Sequence, residues 1–425
     1  MVSSVEEQLV SEGYKKTELG TIPEEWLIKT ARDIFIKIQD GTHFSPKIGG
    51  NDYLYVTSKN IRPGKLDLSS AEYIDEKQHK SIYKRCDVRK GDILLTKDGA
   101  NTGNAALNNI NDEFSLLSSV AFLRVSKEIY SSQYFLQQIM SPSFQQAVQV
   151  AMSGNAITRL TLDKINKLEF LVPSTKEQTA IATALSDVDA LITSLEKLIA
   201  KKRAIKTAAM QQLLTGKKRL PGFEEDWKTV SMNRDADLKA RIGWQALTTT
   251  EYLDQGDFYL VTGTDFKGGR VNWSTCHYVD EWRYSQDRNI QLTNGDVLLT
   301  KDGTIGKVGY VDKLNGPATL NSGVFVIRPV QNAFNPMYLF YILSSRIFDD
   351  FLNRITAGST ITHLYQKDFV TFEFEAPNLE EQNQIAAVFS SMDDELDKLD
   401  QRLIKTQNLK QGMMQELLTG RTRLV

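Results

Sequence analysis

The 425-residue chain has little cysteine: Cys86 and Cys276 are the only two. They sit at non-equivalent places in a duplicated sequence, which suits buried thiols rather than a disulfide or a metal pair. Four histidines are scattered, with no HExxH or mixed Cys/His cluster, so no structural zinc is expected. No apolar run approaches the roughly 20 residues of a membrane span, and the opening MVSSVEEQLVSEGYKK lacks the apolar core of a signal peptide. A net charge of −2 supplies no general polyanion-coating surface, so any nucleic-acid contact must come from local patches. With 41% hydrophobic and 24% charged residues, the composition is that of a soluble globular protein of two to three domains.

Catalytic motifs are also missing. Gly216-Lys217-Lys218 and Gly306-Lys307-Val308 lack the glycine spacing and the Ser/Thr of a phosphate-binding loop. Asn335-Pro336-Met337-Tyr338 superficially matches the tetrapeptide of amino-methyltransferases, but its second proline is absent and the other copy reads Ser131-Ser132-Gln133-Tyr134. It is read as a helix start. Asp75-Glu76-Lys77 has a nuclease-like look that its repeat partner Asp280-Glu281-Trp282 loses. These residues describe a binding protein. A self-contained DNA enzyme and a coiled-coil scaffold without a nucleic-acid role are the rival readings.

What is present is a duplication. Pro173 to Leu220, ending MQQLLTGKKRL, returns as Pro377 to Leu424, ending MQELLTGRTRL, ungapped at an offset of 204 with 18 identities in 48 positions. Lys90-Gly91-Asp92-Ile93-Leu94-Leu95-Thr96-Lys97-Asp98-Gly99 recurs as Asn294-Gly295-Asp296-Val297-Leu298-Leu299-Thr300-Lys301-Asp302-Gly303. Asp52 to Thr57 matches Asp257 to Thr262, and the segment ending at Trp26 matches that ending at Trp227. The last residues resemble the junction between the copies, which points to a closed, pseudo-twofold arrangement.

Between the long repeats, β-rich runs at Tyr53 to Thr57, Ile93 to Thr96, Val120 to Val125 and Leu168 to Val172 are separated by Gly, Asn, Asp and Pro. Helices are expected at Gln133 to Met140 and Phe144 to Val150, with counterparts at Met337 to Ser344 and Ile347 to Ile355. The constant segments open with capping patterns at Ser174-Thr175-Lys176-Glu177 and Asn378-Leu379-Glu380-Glu381. Ile181, Leu185, Val188, Ile192, Leu195 and Ile199 then alternate at spacings of four and three, as do Ile385, Phe389, Met392, Leu396, Leu399 and Leu403. Such ladders predict paired helices, antiparallel if the copies are twofold-related. Downstream the seam is read as slipping to Ile205, Ala209 and Leu213, and to Leu409, Met413 and Leu417. Each helix is expected to end at Gly216 or Gly420.

On these motifs the chain resembles the specificity subunit of type I restriction–modification systems almost end to end. The match is carried by the Trp26 and Trp227 segments, the paired Gly-Asp-Ile/Val-Leu-Leu-Thr-Lys-Asp-Gly stretches, the Pro-x-x-x-Glu-Gln-x-x-Ile-Ala openings and the Leu-Leu-Thr-Gly endings. The resemblance implies an α+β fold with two pseudo-twofold-related α/β target-recognition domains separated by two long antiparallel helices forming a coiled coil. The implied division is an N-terminal extension over 1–18, recognition domains over 19–172 and 218–376, and helical regions over 173–217 and 377–425. It also implies a cytoplasmic, non-catalytic subunit that reads a bipartite, asymmetric double-stranded DNA site and docks two modification and two restriction subunits. Those partners would use S-adenosylmethionine, ATP and Mg for adenine N6 methylation or cleavage.

Candidate DNA contacts follow from loops with short polar or cationic groups. Lys97 and Asp98, with Lys301 and Asp302, suit sequence-neutral phosphate contact or domain architecture because both copies share the turn, and Lys307 is a further candidate. Asn155, Thr158 and Arg159 face Ser359, Thr360 and His363 in the repeat; Arg159 could pair bidentately with guanine and His363 could not. Thr42, His43, Ser58, Lys59 and Asn60, with Thr264, Asp265 and Lys267, complete the set. The basic runs Lys201-Lys202-Arg203-Lys206 and Lys217-Lys218-Arg219 suit a solvated face, the DNA backbone or the modification subunits. If the helices act as a ruler, inserting four residues near Leu195, a rise of about 6 Å, lengthens the unread spacer by one or two base pairs. Methylome sequencing reads that spacer, and an unchanged spacer removes the helices as ruler.

Overall fold

The computed structural model describes residues 12–152, 159–242, 247–356 and 363–424. It divides into two compact units, residues 1–196 with 401–425, and residues 197–400. The division falls within both long helices, Thr175–Leu213 and Leu379–Leu417, each of 39 residues. Each unit therefore joins one of the two expected target-recognition domains, or readers, to part of each helix.

In the first unit a four-stranded antiparallel sheet runs Ala105–Leu107, Ile93–Thr96, Val120–Val125, Phe35–Asp40. Alternation along its strands sends side chains to two cores. Ile93, Leu95, Ala121 and Leu123 join the core that includes the helix residues Ile181 and Leu185; Leu94, Val120 and Phe122 join a second core beneath a smaller sheet. That smaller sheet pairs Tyr53–Val56 in parallel with Ser115–Leu116 and antiparallel with Glu72–Ile74. The central strands of the four-stranded sheet, Ile93–Thr96 and Val120–Val125, are buried on both faces, which is why they read as apolar runs.

The second unit repeats this plan. Ala236–Ala240, Val324–Pro329, Val297–Thr300 and Val308–Tyr310 form the main part of its larger sheet, and Phe258–Val261 lies between His277–Val279 and Ala318–Leu320. In both units the strand that opens the reader pairs with the one that closes it: Leu27–Thr30 with Glu169–Val172, and Lys228–Ser231 with Glu373–Ala376. The reader thus starts and finishes at one place, beside the helices.

The expected strands and helices lie where the pattern put them, as Ser132–Met140, Pro142–Met152, Pro336–Leu343 and Arg346–Thr356 show. Asn335 caps its helix with Pro336 at the first turn. Asp75 and Asp280 cap Glu76–Tyr83 and Glu281–Ser285, so the nuclease-like triplet is a helix start. Cys86 and Cys276 are free and buried, and burial pushes both thiols up to about 12.

The helical seam corrects one expectation. Ile205 and Leu409 are 44% and 58% exposed, so the ladder does not slip onto them. The four–three spacing continues through Lys202, Lys206, Ala209 and Leu213, and through Thr406, Lys410, Met413 and Leu417. Polar residues hold the frame where an apolar search loses it. Within the first unit Lys410 reaches Asp189 at 2.7 Å. Within the second, Lys206 pairs with Asp393, and Lys202 reaches Glu395 at 2.7 Å. In each unit low numbers on one helix meet high numbers on the other, so the pairing is antiparallel.

The constant motifs close each unit. In the first, buried Glu177 receives Arg423 Nε at 2.6 Å and Trp26 Nε1 at 3.1 Å; in the second, buried Glu381 receives Arg219 Nη2 at 2.6 Å. Gly420 and Gly216 adopt φ of +73° and +67° after the helices, and a methyl group on Gly420 would lie 2.5 Å from Pro23. Removing one partner of a buried ion pair typically costs about 3–5 kcal/mol, whereas an apolar replacement of both is often near neutral. Arg423→Met is therefore expected to destabilise the first unit by about that amount in urea unfolding, and Glu177→Leu with Arg423→Met by clearly less. Equal losses in the single and double variants would show that the clasp is not what the arginine supports.

Candidate nucleic-acid interface

The shared Gly-Asp pair turns out to be architectural. Gly91 and Gly295 have φ of +92° and +94°. Asp92 receives Arg124 through Nε at 2.9 Å and Nη2 at 2.8 Å, and Asp296 receives Arg328 through the same two atoms at 2.7 Å each. These bidentate pairs pin the turn before the central strand.

The strand's far end carries the Lys-Asp-Gly turn. In the first unit Lys97 N donates to Ser119 O at 2.8 Å, and Leu160 N donates to Lys97 O at 2.9 Å. In the second, Lys301 N donates to Gly323 O at 2.9 Å and Leu364 N to Lys301 O at 2.8 Å. The structure therefore sets Lys97 and Asp98 beside exposed Arg159, and Lys301 and Asp302 beside His363. Ser58 N lies 3.4 Å from Ser119 Oγ, and Ser118 N donates to Thr42 O, which brings the Thr42 and Ser58 segments to the same end of the domain. Lys307 Nζ donates to Gly263 O at 3.0 Å, which joins Lys307 to the Thr264 turn. Asn155, Thr158, Ser359 and Thr360 lie outside the described residues.

Several nominated side chains are used internally. Asn60 is 2% exposed; it accepts from Thr57 N at 2.9 Å and donates to Asp67 O at 3.1 Å. Asp265, equally enclosed, accepts from Thr262 N at 2.8 Å and from Thr275 Oγ1 at 3.1 Å. Thr42 is buried, and its neighbour Gly41 admits no side chain, because a methyl group there would lie 2.0 Å from Leu116 O. Lys97 is not at the surface as a phosphate contact requires: its Nζ lies 3.3 Å from buried Asp40. Asp40 also holds Arg85 at 3.1 Å and His43 at 3.2 Å. Exposed groups at this end are His43, Lys59 and Arg159 in one reader, and Thr264, Lys267 and Asp302 in the other.

The basic runs are partly committed, with Lys201, Lys217 and Lys218 left exposed. Lys202, Lys206 and Arg203 pair with Glu395, Asp393 and Asp400, and Arg219 with Glu381. Two residues at the interface carried no signal of their own in the sequence. Asp40 sits at a strand end with no motif around it, and the ring of Tyr365, 53% exposed, is tilted against that of His363 with centres 4.5 Å apart. Among the described residues no helix is long and apolar enough to cross a membrane, and no cluster of His, Cys, Asp and Glu could hold a metal.

Two dissimilar sets of exposed side chains on one repeated frame, joined to repeated helices, define a duplicated two-domain protein. The family profile for the type I restriction modification DNA specificity domain matches residues 23–206 and 236–406. The chain belongs to that family. It is 24% identical over 428 residues to the putative type I restriction enzyme MjaX specificity subunit of Methanocaldococcus jannaschii, covering 97% of each chain. It is 24% identical to the MjaVIII specificity subunit of the same organism, covering 97% of this chain and 96% of the relative, and 22% identical to the EcoBI specificity subunit of Escherichia coli, over 71% and 68%. The fold matches the crystal structure of the type I S subunit from M. genitalium with a TM-score of 0.62 at 16% identity, covering 92% and 96% of the chains. A structure described as showing complex assembly and conformational transition of the type I R-M system matches with a TM-score of 0.53 at 15% identity, covering 94% and 99%. The protein is thus a DNA specificity subunit, a recognition component rather than a catalyst, whose partners are DNA and the other subunits of its system.

Proposed function

We propose that each reader recognises one half of a bipartite, asymmetric DNA site, and that the helices and the closing clasps present the docking surface for two modification and two restriction subunits in the cytoplasm. The observation that carries this reading is the pairing of one backbone frame with two different sets of exposed side chains. Identical turns at Lys97 and Lys301 meet Arg159 in one reader and His363 in the other. A shared frame fits a shared approach to the duplex, while the exchanged side chains fit different bases. Arg159 has the planar fork that matches guanine O6 and N7. His363 is engaged through Nδ1 by Asp302, which orients its ring.

Chemistry belongs to the partners: S-adenosylmethionine for adenine N6 methylation, and ATP with Mg for cleavage. This chain supplies register. Reader exchange tests the reading. Replacing residues 19–172 with the matching reader of a relative is expected to change one half of the methylated motif and leave the other intact. A complex with modification subunits that binds DNA without sequence preference would refute it. Within the native reader, Arg159→Ala is expected to cost about 1–3 kcal/mol of discrimination at one base pair, read as relaxed methylation at that position of one half-site alone.

A further inference from the structure

The two readers place the same lysine in opposite electrostatic surroundings. The strand pairing that sets Asp40 opposite Ala121 in the first sets Ala240 opposite Phe325 in the second. In the first, the Lys97 and Asp40 side chains are 7% and 4% exposed, so the ammonium is buried and neutralised. In the second the carboxylate is gone and an aromatic ring has taken the place of Ala121. Lys301 is partly exposed with Nζ 5.4 Å from the centre of the Phe325 ring. An aromatic face supports an ammonium without cancelling its charge. The acid next to it, Asp302, is engaged by His363. Among the described residues no carboxylate lies within ion-pair distance of Lys301.

We propose that Lys301 binds a DNA phosphate while its repeat mate Lys97 does not, so that the two readers grip the backbone unequally. The switch is the exchange of Asp40 and Ala121 for Ala240 and Phe325. This rests on the reading of both domains as DNA readers and adds which of two matching residues meets the duplex. A lysine that neutralises one phosphate releases counterions, and the slope of log affinity against log salt changes by about 0.9 per contact.

The test uses the specificity subunit in complex with its modification subunits and a labelled duplex carrying the motif found by methylome mapping. Binding is followed from low to moderate salt. Lys301→Gln is expected to reduce the salt slope by about 0.9, and Lys97→Gln to leave it unchanged. Should Lys97→Gln fail to fold, Asp40→Asn, which frees Lys97 together with Arg85 and His43, is expected to steepen the slope by about 0.9 or more. Equal effects at Lys97 and Lys301, or no effect at Lys301, would overturn the asymmetry, and an unchanged slope with Asp40→Asn would overturn Asp40 as its switch, even where the complex still prefers its motif. A wild-type complex with no preference for the motif duplex over a scrambled one would remove the underlying DNA-reader assignment as well.

Discussion

Each unit is closed by a carboxylate at the start of one long helix that receives an arginine from just beyond the end of the other. Glu177 with Arg423, and Glu381 with Arg219, are the paired instances, and both carboxylates are buried. A buried carboxylate left without its guanidinium is strongly destabilising, so the pair tolerates only the chain path that brings both ends together. The surrounding motifs serve that meeting. The tryptophans pack against the arginines, with guanidinium carbons 5.9 Å from Trp26 and 5.6 Å from Trp227. The glycines after Leu-Leu-Thr allow the reversal that brings the arginine back. The Pro-x-x-x-Glu-Gln openings, the tryptophan segments and the Leu-Leu-Thr-Gly endings, far apart in sequence, are parts of one contact.

The same logic runs along the seam. Lys206 with Asp393 and Lys410 with Asp189 occupy equivalent positions, each acid also meeting the adjacent reader: Tyr341 donates to Asp393 at 2.8 Å and Gln137 to Asp189 at 2.9 Å. Polar residues in a helical seam lower stability but restrict register. Here they also tie the register of the helices to Ser132–Met140 and Pro336–Leu343 of the readers. A sliding helix would break two contacts of different kinds at once.

How much of this was legible follows from what a sequence can encode locally. Strands such as Ile93–Thr96 and helices such as Pro142–Met152 announce themselves through apolar runs, periodicity and caps, and the duplication checks each reading twice. Ion pairs between distant segments leave no such trace. The run Lys201 to Lys206 looks like a free basic face because Asp393, Glu395 and Asp400 lie nearly 200 positions away. Lys97 looks like a phosphate contact because Asp40 is an ordinary strand-end residue until the sheet is built. Asn60 and Asp265 are polar loop residues in sequence and turn caps in the structure. Side chains that terminate turns and those that touch ligands share a composition, so loop polarity alone cannot separate them.

That overlap explains why a recognition protein of this kind is built by duplication. The frame must hold its turns with buried caps and bidentate Arg–Asp pairs, which leaves few positions free to vary. Such positions lie where the frame has already fixed the backbone, as at Arg159 against His363. Changing any of them alters charge, shape or hydrogen-bonding at the end of the sheet while the backbone bonds from Leu160 to Lys97 and from Leu364 to Lys301 persist. The interactions that hold the fold and the residues that distinguish its targets are thus separated within each reader by a single peptide step, as at Leu160 and Arg159. Divergence of the two copies then costs little stability, because the side chains that differ are not the ones that close the units.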